Sequence, residues 1–218
     1  MKQRKHIVIT GTGRAGTTFL VELLTKLGLE TGFDSEQLKR YKDQLGRGGL
    51  ENDIRREDCP YIVKNPSFCD YAGEVIARDD IVIEHIFLPI RDLFAAAESR
   101  RFVAYNKIQE ASFWDKIKFV FGKRKSSPGA LWGTNTLKGN KQERILLNKL
   151  YQLMLAVSDS SVNITLINYP RSTKDAAYLF AKLKPVFQEL EFQEFVKVFN
   201  NTVQAELVHH FKSGLKTF

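Results

Sequence analysis

The chain is poor in cysteine. Cys59 and Cys69 are the two thiols in 218 residues, too few for a disulfide scaffold and without metal-ligand spacing, so a reduced chain is expected. Long apolar runs are missing as well: nothing approaches the ~20 residues that a helix needs to cross a bilayer. The N-terminal Met1-Lys2-Gln3-Arg4-Lys5-His6 is basic, but Ile7 to Thr10 is too short for a signal-peptide core, and a cytoplasmic protein is expected. Histidine is scarce too. His85 sits inside an apolar strand and reads as a packed core residue, while His209 and His210 read as surface or packing residues of a terminal helix. Acid is in deficit: 33 Lys and Arg against 25 Asp and Glu leave a net charge of +8. Such a chain attracts anions, whether polyanionic cofactors, sulfated or phosphorylated substrates, nucleic acid or an anionic membrane; a solvated basic surface is the plain alternative.

What is present reads as one domain over residues 1–218. The content of 43% hydrophobic and 27% charged residues is ordinary for a globular protein, and the length supports a single sizeable core. Short β-branched or aromatic segments at Ile7–Thr10, Tyr61–Lys64, Ile81–Leu88 and Val162–Ile167 predict strands. Their continuous apolar character predicts burial on both faces, as in a mainly parallel sheet. Helical spacing marks Gly16–Leu27, Asp92–Ala104 and Lys141–Val157, and a stripe from Phe192 through Phe195 and Phe199 to Phe211 marks a tail helix over Leu190–Phe211. The alternation predicts an α/β three-layer sandwich. Two segments interrupt it, about 30–58 and 112–140, and insertions at the carboxyl ends of parallel strands often build substrate sites.

The densest signal is His6 to Leu20: a buried strand, the glycine-rich turn Gly11-Thr12-Gly13-Arg14-Ala15-Gly16, then the apolar helix opening Thr17-Thr18-Phe19-Leu20. Glycines let backbone approach a phosphate, and amides at the positive end of a helix dipole face it. The spacing Gly11-(four residues)-Gly16 matches a phosphate loop, yet Thr17 stands where an ATPase or kinase carries its lysine. A second motif follows the third strand. Arg91 ends it, and Ser99 lies about two helical turns later, on roughly the same face as the start of the helix. A guanidinium and a hydroxyl held there suit a second phosphate.

With these two motifs the chain resembles the sulfotransferases that use 3′-phosphoadenosine 5′-phosphosulfate (PAPS). Gly13-Arg14-Ala15-Gly16-Thr17-Thr18 looks like their loop for the 5′-phosphosulfate, and Arg91-Asp92 followed by Ser99 looks like their 3′-phosphate motif. Val63-Lys64-Asn65-Pro66 is similar to the Lys-x-Pro strand end of the glycan and bacterial members, and Ile167-Asn168-Tyr169 to a later strand end whose tyrosine lies near the adenine. The likeness runs in order from about His6 to Lys184. It departs at Leu93, in place of a proline, at Pro170-Arg171, in place of an acidic pair, at Pro66, near which some members carry a histidine base, and in lacking an Arg-Lys-Gly tripeptide near the C-terminus.

The resemblance implies a P-loop NTPase-like fold, PAPS as donor, 3′-phosphoadenosine 5′-phosphate (PAP) as product, no required metal and a hydroxyl-bearing acceptor. It implies that the amides of Gly13 to Thr18 hold the 5′-phosphate, with the Thr17 and Thr18 hydroxyls adding bonds. Arg14 then reaches the bridging oxygen, and Lys64 offsets charge on the sulfonate. The general base is expected among Glu30, Asp34 and Glu36 in the segment after the first helix. Asp34 is preferred because Gly32 and Phe33 suggest a turn over a buried anchor. Lys116 to Lys125 holds five basic residues and no acid and suits an anionic acceptor or surface; Trp114 and Trp132 flank it and suit sugar stacking or core packing. Two rivals stay open. A P-loop kinase or nucleotidase needs the missing loop lysine and an acidic magnesium ligand, where the strand ends offer Lys64 and Arg91. A non-catalytic phospho-ligand or nucleic-acid binding module accounts for the charge but not for two ordered phosphate motifs.

Overall fold

The computed structural model describes residues 3–42, 49–110, 131–132, 140–187 and 189–204. Four apolar segments form strands: β1 (Arg4–Ile9), β2 (Ile62–Lys64), β3 (Ile81–Ile90) and β4 (Asn163–Asn168). They make one all-parallel sheet in the order β2-β1-β3-β4. Parallel neighbours need long crossovers, and these carry the helices. Helix α1 (Thr17–Lys26) and α2 (Ser35–Lys42) lie between β1 and β2, and α3 (Ala72–Ile76) between β2 and β3. Helices α4 (Leu93–Glu110) and α5 (Lys141–Ser158) lie between β3 and β4, while α6 (Ala176–Leu183) and α7 (Phe192–Asn200) follow β4.

Strand alternation divides the core. Ile7, Ile9, Phe87 and Ile167 face Leu20, Leu23 and Leu24 of α1, Leu179 and Leu183 of α6, and Phe195 and Phe199 of α7. Val8, Val63, Ile86 and Leu88 face Phe68, Val75 and the α5 residues Leu153 and Val157. Helices therefore cover both faces, which is why the strands read as continuous apolar runs. The three α1 leucines are at most 1% exposed, and each such burial contributes roughly 1.5–3 kcal/mol. That anchors α1 and, with β1, both ends of the glycine-rich turn.

Several expectations need adjustment. Residues 30–58 include α2, capped by Asp34. Helix α6 was not foreseen; it begins at an Asp175 cap that accepts from Tyr178 N at 2.9 Å. The tail helix ends at Asn200, Phe192 is 41% exposed, and Leu207, Phe211, His209 and His210 lie outside the described residues. So do Trp114 and Lys116 to Lys125. His85 is half-buried, with a ring nitrogen 2.8 Å from Thr165 Oγ1 on β4, and burial lowers its pKa. Cys59 and Cys69 are both free thiols. Among the described residues, no helix is long and apolar enough to cross a membrane.

Candidate functional site

In an all-parallel sheet the carboxyl ends of the strands share one edge. Here that edge receives the glycine-rich turn from β1, Lys64 from β2, Arg91 from β3 and Tyr169 from β4. Tyr169 N donates to Ile90 O at 2.8 Å and Asn65 N to Ile9 O at 3.0 Å, so neighbouring strand ends are tied together where these residues emerge.

The turn is left-handed at Gly13 (φ 62°), Arg14 (φ 56°) and Gly16 (φ 83°). Gly16 is needed twice over, since a Cβ there would lie 2.8 Å from Tyr169 Cδ2. Arg14 has a Cβ, so this conformation costs roughly 1–2 kcal/mol, and two contacts hold it. Its Nε donates to Ser99 Oγ at 3.0 Å, and its carbonyl accepts from Arg91 Nη1 at 2.8 Å. Ala15 is 1% exposed and Thr17 4%. Helix α1 opens on Thr17 with no acid in its first turn. Among the described residues, no protein hydrogen bond takes up the backbone N–H groups of Gly13, Ala15, Gly16 and Thr17. Such a cluster of amides at a helix N-terminus favours an anion.

Arg91, Ser99 and Arg14, 85 positions from end to end of the Arg14–Ser99 bond, thus meet at one point. The Arg91 guanidinium lies 5.2 Å from the Tyr169 ring centre. Lys64 is 2% exposed. Its Nζ donates to Gly49 O and meets Glu51 Oε1 at 3.1 Å. The 49–52 strap runs alongside the end of β2: Asn52 N donates to Lys64 O and Asn65 Nδ2 to Asn52 O, both at 3.1 Å.

Electrostatics links the two halves of the site. Burial pushes Arg14, Lys64, Arg91 and Arg100 each below the usual range of their residue type. Arg91 adds to the effect on Arg14, Arg14 to that on Arg100, and Arg100 to that on Lys64, while Glu51 opposes it at Lys64 and Arg100. An anion arriving here relieves cation–cation repulsion in a poorly solvated place.

The acids expected to serve as base are exposed, and two of them have local partners. Asp34 is an exposed helix cap: its Oδ1 accepts from Gln37 N at 2.8 Å, and its own N–H donates to Gln37 Oε1 at 2.9 Å. Glu36 is exposed and pairs with Lys39 at 2.8 Å. Glu30 is exposed, and its carbonyl accepts from Ile62 N at 2.9 Å. Gly32 does turn (φ 75°), and the buried anchor beside it is Thr31, 1% exposed.

Two residues of the site carry no expectation, Glu51 and Arg100, while Trp132, expected to stack on a sugar or pack in the core, packs against a core cluster and stacks on Arg100. Arg100 is 2% exposed, donates through Nε and Nη2 to Thr12 O, and stacks 3.8 Å from the Trp132 ring centre. It directly follows Ser99 in α4, about 100° further round the helix, and nothing in the local sequence marks it. Glu51 carried no signal; it reaches Lys64 through space from a segment with no periodicity. Comparison with protein-family models, with curated proteins and with solved structures gives no match.

Proposed function

We propose that this chain is a PAPS-dependent sulfotransferase that moves a sulfuryl group to a hydroxyl of a glycan, lipid or small-molecule acceptor, on a P-loop NTPase-like fold. The observation that carries this reading is the loop itself. Among the described residues four of its amides donate to no protein acceptor, Arg91 and Ser99 grip it through Arg14, and a threonine replaces the lysine of nucleotide hydrolases.

The residues fit a nucleotide with anions at both ends. The amides of Gly13 to Thr18 and the Thr17 and Thr18 hydroxyls would hold the 5′-phosphate, Arg91 and Ser99 would hold the 3′-phosphate, and Tyr169 would contribute to binding the base. When bound, PAPS supplies an activated sulfuryl group. Charge stabilisation then falls to the chain's own cations. Arg14 would offset charge on the leaving phosphate, and Lys64 would offset charge on the transferred group. Glu51, paired with Lys64 at 3.1 Å, accepts the acceptor hydroxyl's proton. This assigns the base to Glu51 in preference to Asp34, because Asp34 spends its carboxylate on a helix cap.

Calorimetry with PAP tests the reading. Micromolar, metal-independent binding that weakens in Arg91→Ala and Ser99→Ala is expected. No binding, or tighter binding of magnesium-ATP, overturns it. For the base, Glu51→Gln loses turnover while keeping PAP affinity and Asp34→Asn stays active; the opposite pattern returns the role to Asp34.

A further inference from the structure

A phosphate loop that lacks its lysine needs its peptide groups held by other means, and α4 supplies them. Adjacent α4 residues both touch the loop: Ser99 accepts from Arg14, and Arg100 donates from two nitrogens to the Thr12 carbonyl. The fit is close, because a Cβ at Gly13 would fall 2.6 Å from Arg100 Nη2. Behind the guanidinium lies the Trp132 ring at 3.8 Å, with Lys149 Nζ 4.4 Å from that ring and paired with Asp70 beyond it. The guanidinium is therefore held from both sides, by the loop and by an aromatic face.

A peptide unit is planar and trans, so its N–H points opposite to its C=O. With the Thr12 carbonyl committed to Arg100, the Gly13 N–H is turned the other way, and no acceptor among the described residues takes it. Arg91 does the same to the next-but-one peptide, holding the Arg14 carbonyl and turning the Ala15 N–H. We propose that Arg100, braced by Trp132, is the positioning residue of the anion-binding loop: it works from outside the loop by orienting the Gly13 amide toward the bound anion. The inference rests on the proposed function only in taking the loop as an anion site, and it extends to any phosphate or sulfate group placed there.

The planar fork and the stacking surface are what a guanidinium has and an ammonium lacks. Arg100→Lys, shown by thermal unfolding to be folded, is therefore expected to bind inorganic pyrophosphate about tenfold more weakly than the wild type. In Arg100→Ala, added methylguanidinium is expected to restore part of the lost affinity. Trp132→Phe keeps the fork and weakens the stack, so a loss of about two- to threefold is expected, and it carries the test if neither Arg100 variant folds. Wild-type affinity in Arg100→Lys, or in Trp132→Phe when that variant stands alone, overturns the proposal, as does a wild type that binds no pyrophosphate. A wild type that binds pyrophosphate in an Arg100-dependent way but does not bind PAP upholds the positioning role and removes the sulfotransferase reading. PAP and pyrophosphate binding that is indifferent to Arg100 does the reverse.

Discussion

Arg4, where β1 begins, meets Asp80 at 3.0 Å; Arg14, just past the end of the same strand, meets Ser99 and lies beside Arg91 and Arg100. The pattern extends across both edges of the sheet. Toward the amino ends of the strands, Arg78 meets Asp80 at 2.8 Å and Lys5 meets Glu84 at 2.8 Å. Hydrogen bonds from Arg78 and then Arg4 hold the Asp80 carboxyl well below the usual range, and Glu84 raises Lys5. Toward the carboxyl ends, burial is the first cause of the shifts of Arg14, Lys64, Arg91 and Arg100, and all four are lowered. Exposed ion pairs contribute about 0–1 kcal/mol, whereas buried charges cost several kcal/mol unless well compensated. A fold keeps the second arrangement where it serves a ligand. A net charge of +8 attracts anions in general, and the contrast between the edges shows where buried cations gather.

The sharpest break of this contrast is in turnover. Lys64→Met or Arg14→Ala is expected to lower the sulfuryl-transfer rate about 10²–10³-fold, while Arg78→Ala at the opposite edge leaves it unchanged in the same assay. Next comes ligand affinity. Arg91→Ala or Ser99→Ala removes a charge-assisted or hydroxyl contact and is expected to weaken PAP binding about 10- to 100-fold by calorimetry. Gly16→Ala acts through geometry alone. The left-handed φ of 83° and the 2.8 Å approach to Tyr169 must both give way, so a melting temperature lowered by a few degrees, together with weaker PAP binding, is expected.

The smallest effect belongs to the paired edge. The folded-state pKa of Asp80 is depressed, so its contribution is present above the unfolded carboxylate value, near 4, and is lost as pH falls below it toward the folded value. Melting curves from pH 5 to 2 are expected to fall less steeply for Asp80→Asn than for the wild type. An unchanged slope shows that the Arg4–Asp80–Arg78 group is inert.

Much of this molecule is legible one segment at a time. β1 starts earlier than its apolar run because Arg4 still pairs with Ile81 of β3, but all four strands fall where β-branched runs predict them. The glycine-rich loop, Lys64, Arg91 and Tyr169 are likewise visible as local motifs at strand ends, and Ser99 as a hydroxyl two turns into the helix after β3. Asp34 shows the limit of such reading. A carboxylate after a Gly-Phe turn has the local chemistry of either a base or a helix cap, and Gln37, three residues on, is the capping partner that decides between them. Glu51 shows the same limit from the other side, since nothing near it in the chain announces Lys64.

By itself, then, the sequence determined the parallel α/β arrangement and which residues stand at strand ends, because strand patterning, glycine turns and helix periodicity are local properties. Only the tertiary structure decided which of those residues meet. It brought Glu51 to Lys64, Arg100 to the Thr12 carbonyl and Ser99 to Arg14 across separations of 13, 88 and 85 positions. Contacts of that span follow from how the crossovers bring separate segments to one edge of the sheet, and no local pattern encodes them.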